Sequence, residues 1–498
     1  MENTGTSRAG LRQWWGLALL ALPTMLLGLD VTVLYLVLPS LVTDLDPSGT
    51  QTLWIMDAYG FLIAGFLITM GTLGDRIGRR RLLLIGAAAF GVASVIAAYS
   101  TSAELLIAAR GLLGVAGATL MPSTLALIGT LFTVARERAL AIGVWATMFA
   151  LGMAAGPVVG GALLAHWWWG SAFLVAVPVV LVLLIAGPLV LPEYRAPTSH
   201  RIDLLSVALS LASILPLVYA VKHAATGDLD AWTGLALVVG GVAGVVFVRR
   251  QLALPSPLLD VRLFADRALS AALAVLLVGL MGVGGVMFLV TQYLQLVEGY
   301  SPMVAGIWMG PPALAMLVAA IAAPVLARRL PPGTVMAGTL AISLVGYGLL
   351  ALVGPGSPVV VVAGFALVYL GLGAIAALGT DLVVGAAPPE RAGSAAALSE
   401  TVQELGIAVG VALLGSLTTV VYRAAMPGET TAAESLSAAV AERAPAPVLE
   451  RASAAFTTGL NVSAVTAGGV IAVATVFCTL ALRRVRPLDA EPDVARSG

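Results

Sequence analysis

The segment LSETVQELGIAVG (398–410) sets Glu400 and Glu404 into an otherwise apolar run. Four residues is slightly more than one helical turn, so both carboxylates share a face. Two carboxylates this close repel each other when both are charged, so the pair is either a place where a proton and a cation compete or, where this first part of the span protrudes into the cytosol, a solvated pair of acids. Ser399 and Gln403 continue the polar stripe, and Gly406 and Gly410 offer a face for close packing. Asp30, Asp57 and Arg110 also stand inside apolar runs. A charge at the centre of a membrane span costs about 2.5–3.5 kcal/mol on insertion scales, so each of these groups needs a partner or a task. Arg110 is the counter-charge at the depth of Asp30 and Asp57. It either locks Asp30 in a static pair joining three helices or tunes its proton affinity so that Asp30 titrates. Asp57 is either functional or a residue near the membrane interface.

Aromatic rings complete a site for flat lipophilic cations by stacking and cation–π contact. Trp54, Tyr59, Trp145, Phe149, Tyr293 and Trp308 are the candidates, each with packing or lipid contact as its alternative. Glu104 has a different character. TSAE before an apolar run is a capping box, with Thr101 as the cap and Glu104 reaching back. Asp381 lies near a span end, where it is either functional or snorkels. His166, His200 and His223 all fall at span ends or in loops, and no Asp-rich pair faces the cytosol. No metal, cofactor or membrane-enzyme chemistry is therefore expected.

These groups need elements to hold them in hydrocarbon. Of 498 residues, 59% are hydrophobic and 10% charged, against roughly 25% charged in soluble proteins, so the chain is a membrane protein. Acids and bases balance at 26 each, which gives no reason for a nucleic-acid partner. Cys478 stands alone, so no disulfide forms within the chain. The sole lysine, Lys222, follows Val221 rather than glycine, which excludes a phosphate-binding P-loop. The residues before Trp14 form no cleavable leader, and the first span serves as the anchor. Fourteen apolar runs, from 14–38 to 461–482, each have the roughly 20 residues that a span needs. With the N-terminus inside, 21 of the 26 basic residues fall on the cytoplasmic side, which the positive-inside rule requires. The expected organisation is a six-helix bundle over 1–200, two inserted spans over 201–250, and a second bundle over 251–498. The last includes a cytoplasmic linker at 249–267 and an outer loop at 423–460.

Five stretches carry a resemblance. GTLGDRIGRRRLLL (71–84), with Gly71, Gly74, Asp75, Arg76, Gly78, Arg79 and Arg80, resembles the signature loop of the major facilitator superfamily. There Asp75 is placed to pair or to cap as helices shift. LIAARGLLGVAGA (106–118) is similar to the fourth-span motif of that superfamily, with Arg110 as its buried base and a departure at Leu113. GMAAGPVVGG (152–161) matches the antiporter motif of the fifth span through Gly152, Gly156, Pro157, Gly160 and Gly161. GLDVTVLYLVLP (28–39) and LWIMDAYGFLIAG (53–65) resemble the fourteen-span drug:proton antiporter branch, that of QacA- and LfrA-type multidrug pumps. The resemblance implies an all-α polytopic fold of two six-helix bundles plus two inserted helices. It implies a single chain in the bacterial cytoplasmic membrane, with both termini inside, exchanging protons for lipophilic cationic drugs. The alternatives are an exporter specific for one antibiotic and an importer by symport. Asp30, Asp57, Glu400, Glu404 and Arg110 would carry the proton and cation, and the glycine motifs would be the moving seams.

Overall fold

The computed structural model describes residues 9–47, 49–164, 166–195, 203–226, 230–254, 257–387, 392–426, 435–441, 443–483 and 485. Fourteen helices among them are long and apolar enough to cross a membrane. They are α1 (Leu11–Leu45), α2 (Gly49–Ile77), α3 (Arg79–Ala98), α4 (Ala103–Leu131) and α5 (Ala135–Leu164), then α6 (Ser171–Val190). Next come α7 (Leu204–Thr226) and α8 (Ala231–Ala253), followed by α9 (Arg267–Val297), α10 (Met303–Leu326) and α12 (Pro358–Ala386). Between and after these lie α11 (Pro332–Ala351), α13 (Ala392–Ala425) and α14 (Ala446–Leu482). An even number of crossings puts the start of α1 and the end of α14 at one face, called here the terminal face.

The packing repeats with an offset of eight helices. In the first bundle α1 packs on α5, α2 on α4, and α3 on α4 and α6. In the second, α9 packs on α13, α10 on α12, and α11 on α12 and α14. The largest contacts between the bundles, α2 with α13 and α5 with α10, exchange under the same offset, and α13 also meets α4 while α5 meets α12. The inserted helices α7 and α8 pair with each other, and α7 also leans on α2 and α13.

Apolar attraction between helices is weak in lipid, so close backbone approach replaces it. Glycines supply that approach at the equivalent seams. A Cβ on Gly152 would overlap the Met25 carbonyl of α1, and one on Gly410 would overlap the Met281 carbonyl of α9. Gly156 faces Thr32 of α1, whose hydroxyl donates to the Met153 carbonyl at 2.9 Å. Gly160 is buried and Gly161 half-buried on the same helix, and the Pro157 side chain lies outside the described residues.

Two local expectations change. The cap of α4 is Ser102, whose hydroxyl accepts from the Leu105 amide, not Thr101. Much of the expected loop 423–460 is helical, because α14 begins at Ala446. Pro447 in its first turn and the alanine-rich run that follows favour helix there. At 37 residues α14 is about 55 Å long, against about 30 Å of hydrocarbon, so it projects beyond the membrane.

Candidate functional site

The first bundle holds a buried ion pair. Arg110 Nη1 of α4 donates to Asp30 Oδ2 of α1 at 2.6 Å, with side-chain exposures of 2% and 8%. Arg110 Nε donates to the Ile55 carbonyl of α2 at 3.2 Å. Its guanidinium lies over the Tyr59 ring at 4.6 Å and the Phe173 ring at 6.0 Å. One cation thus ties together α1, α2, α4 and α6.

Tyr59 links this pair to the second bundle. It is buried, its hydroxyl lacks a hydrogen-bond partner among the described residues, and Asp30, Arg110 and Glu404 all lie within electrostatic range. On α13, Glu400 is buried at 3% exposure and Glu404 is half-buried. Gln403 Nε2 donates to Glu400 Oε1 and to Ser399 Oγ, both at 3.2 Å. The polar stripe read from the sequence is therefore one connected patch, and α13 packs against α2 and α4. Asp57 lies in α2, but its side chain is outside the described residues.

The aromatic candidates disperse. Trp145 is buried and donates to Thr124 Oγ1 at 3.0 Å, which ties α5 to α4. Phe149 is half-buried on the α5 face that meets α1 at Gly28. Tyr293 is fully buried, and its hydroxyl donates to the Gly354 carbonyl at 2.7 Å and accepts from the Ser357 amide, anchoring a loop at the non-terminal face. Trp308 stacks on Tyr300 at 6.1 Å. Trp54 points to a flank of the molecule, beside Phe61. Of the six, Tyr59 joins the acids.

A second cluster ties the two bundles together at the terminal face. Asp75 at the end of α2 accepts from the Gly393 and Ser394 amides at 3.1 and 3.2 Å. Those amides belong to the first turn of α13, where the helix has no internal acceptor for them. A carboxylate from one bundle therefore caps a helix of the other. Arg79 Nε holds Asp75 at 3.1 Å, and its Nη1 donates to Thr130 Oγ1 at 2.8 Å beneath the Tyr194 ring. Gly78 turns the chain at φ +109°, and Arg80 binds the Pro188 and Leu191 carbonyls of α6 and its end. The Arg76 Nε is buried without a hydrogen-bond partner among the described residues. Gly71 abuts Gly393 and Ala397, and Gly74 lies against Leu82. On the other inter-bundle seam, Arg138 of α5 donates to Asp381 of α12 at 2.6 Å. Asp381 is buried by this contact, so it does not snorkel. Glu104 is exposed and accepts from Gln51 Nε2 at 2.6 Å.

Two half-repeated bundles, two inserted helices and polar ties between the bundles define a class of membrane transporter. The family model described as Major Facilitator Superfamily matches residues 20–411, and the chain belongs to that superfamily; it is a transporter and not an enzyme. It is 43% identical to the multidrug efflux pump LfrA of Mycolicibacterium smegmatis, over 97% of this chain and 99% of that one. It is 36% identical to the methyl viologen resistance protein SmvA of Salmonella typhimurium, over 82% of each. With the puromycin resistance protein pur8 of Streptomyces alboniger it shares 33% over 84% of each. The solved human organic anion transporter MFSD10 (TETRAN) has the same fold, with a TM-score of 0.63 at 18% identity over 94% of this chain and 99% of that one.

Proposed function

We propose that this protein is a proton-coupled antiporter exporting lipophilic cationic drugs, dyes and quaternary ammonium compounds across the bacterial cytoplasmic membrane. The observation that carries the reading is the line of acids inside the protein. Glu404 on one bundle lies within electrostatic range of Tyr59, beside the Asp30–Arg110 pair on the other, with the buried Glu400 one turn before it on α13, at the seam that must part as the bundles rock. The relatives whose names specify drug resistance or multidrug efflux support it. The arginine distribution assigns the terminal face to the cytoplasm, so the gate at Asp75, Gly393 and Ser394 is cytoplasmic.

In this cycle the open cytoplasmic gate admits a cation to Glu404 and Glu400, where its charge replaces a proton. The gate then closes as Asp75 caps α13. Protons from outside neutralise the carboxylates, and the cation leaves. Competition for one set of oxygens couples the two flows. Each proton contributes about 2.3 kcal/mol per 100 mV of membrane potential, plus the pH term. The unpartnered Tyr59 hydroxyl passes the change in charge between Glu404 and the Asp30–Arg110 pair. A single chain contains both bundles and suffices for the cycle. The name of pur8 favours one second reading, export of a single antibiotic.

The test is proton release when ethidium is added to purified protein in unbuffered detergent. Wild type releases protons, and either Glu400→Gln or Glu404→Gln diminishes the release. Release unchanged in both variants would move the exchange site to Asp30 and Asp57. No release from folded protein would overturn the cation reading.

A further inference from the structure

A cavity of about 820 Å³ lies away from both the acids and the gate, where α2 and α4 meet α7 and α8. Trp54 and Phe61 of α2, Tyr219 of α7 and Trp232 of α8 line it, over a floor that includes Ala108 and Gly111 of α4. Trp54 is 46% exposed and Trp232 69%, so the groove opens sideways into the membrane. The Trp54 and Phe61 rings sit 6.1 Å apart, tilted against each other as one aromatic wall of a slot. Small residues on α4 leave the space that a larger side chain would close.

Two carboxylates, at the starts of α4 and α8, stand just beyond the end of this groove toward the non-terminal face. Gln51 lies one turn before Trp54 on the same face of α2, and its amide donates to Glu104 at 2.6 Å. Glu104 in turn precedes Ile107 and Ala108 of the groove by three and four residues. Asp230 caps α8 two residues before Trp232. An apolar aromatic slot with carboxylates at one end matches a molecule that is flat and greasy with a positive charge at its edge. The volume falls in the range of pockets for drug-sized ligands, and aromatic faces attract cations most strongly where water is scarce. A lipid acyl chain fits the slot but makes no use of the acidic end.

We infer that this groove is a lateral binding site for a flat lipophilic cation in the membrane, with its rings between Trp54, Phe61 and Trp232 and its charge toward Glu104 and Asp230. The inference rests on the lipophilic-cation reading above and adds a station outside the central line of acids. The inserted helices, which pair with each other beside α2, then form one wall of a site.

The test is photolabelling of the full chain in lipid nanodiscs with an azide derivative of ethidium, followed by mapping of labelled peptides. A neutral aryl azide of similar ring size is the comparison. The cation labels peptides spanning 54–62 and 232–239, and Ala108→Phe abolishes that label by filling the slot. Trp232→Leu, at an exposed position that needs no repacking, weakens it about fivefold, the size of one cation–aromatic contact. Glu104→Gln combined with Asp230→Asn weakens it similarly, while Glu404→Gln leaves it intact. Label confined to 398–410 would overturn the groove and leave the transport reading standing. Equal labelling by the neutral azide, or indifference to the two carboxylate changes, would make the groove a lipid slot and overturn the site. Label in neither place would overturn the cation reading itself.

Discussion

Removing Arg110 and Asp30 singly and together separates their structural contribution from any part in exchange. The pair is buried, at 2.6 Å, with side-chain exposures of 2% and 8%. Arg110→Met strands the Asp30 carboxylate in a dry setting, and breaking a buried pair this way costs about 3–5 kcal/mol. Asp30→Asn is milder. Arg110 keeps the Ile55 carbonyl at 3.2 Å and the Tyr59 face at 4.6 Å, so the loss is one charge-assisted hydrogen bond, about 2 kcal/mol. The double variant Asp30→Asn/Arg110→Met strands neither charge and returns within about 1–2 kcal/mol of wild type, since it leaves one neutral amide in place of an unpaired buried ion. The cycle therefore predicts a coupling of about 3–6 kcal/mol. Stability would be read by denaturant titration in detergent, and transport by ethidium efflux from proteoliposomes under an imposed pH gradient. If Asp30 takes part in exchange, the double variant recovers its stability and remains inactive. Wild-type transport by the double variant would reduce the pair to a brace. Single variants that each cost under about 1 kcal/mol would refute the premise that the pair is desolvated.

Three other perturbations test separate parts of the structure. Asp75→Asn removes the charge that caps α13, worth about 1–2 kcal/mol, and shifts the gate about tenfold toward opening. A Thr72→Cys/Ser394→Cys pair, built where the two hydroxyl oxygens stand 3.5 Å apart, should then cross-link less; unchanged cross-linking would free Asp75 from this role. Gly152→Ala presses a methyl into the Met25 carbonyl and should lower stability by about 1–3 kcal/mol, visible as a fall in Tm; an unchanged Tm would mean that α1 and α5 sit farther apart. The Arg250 guanidinium, with the Ser206 hydroxyl, holds Asp203 at about 2, below its ordinary 3.8. A depressed carboxyl stabilises the folded state above its unfolded value and loses that contribution as pH falls through about 2. The tie between α7 and α8 should therefore loosen in acid, read as spin-label mobility at 249, and Asp203→Asn should remove that pH dependence.

The spans were legible because hydrocarbon imposes one rule along the whole chain, and the arginines at the terminal face fixed their parity. Helix ends were less so. Ala446 begins α14 where polar residues suggested a loop, because helix propensity persists after hydropathy stops. Arg110 was legible as the partner of Asp30, since a lone buried base among buried acids has few choices. The gate was not. Asp75 stood out, but its partners are the Gly393 and Ser394 amides, and a backbone donor carries no side-chain signature. Arg138 resembled any topology-setting arginine until Asp381, 243 residues away, came to face it. The aromatic rings divided for a related reason. A ring's type gives its affinity but not the helix face it occupies, so Tyr59 turned toward the acids while Trp54, five residues earlier, turned toward lipid. On a helix five residues amount to about 500° of rotation, or some 140° between side chains. One segment of α2 can therefore present one ring to the central acids and another to the lateral groove, which brings both proposed cation sites within a turn and a half of the same helix.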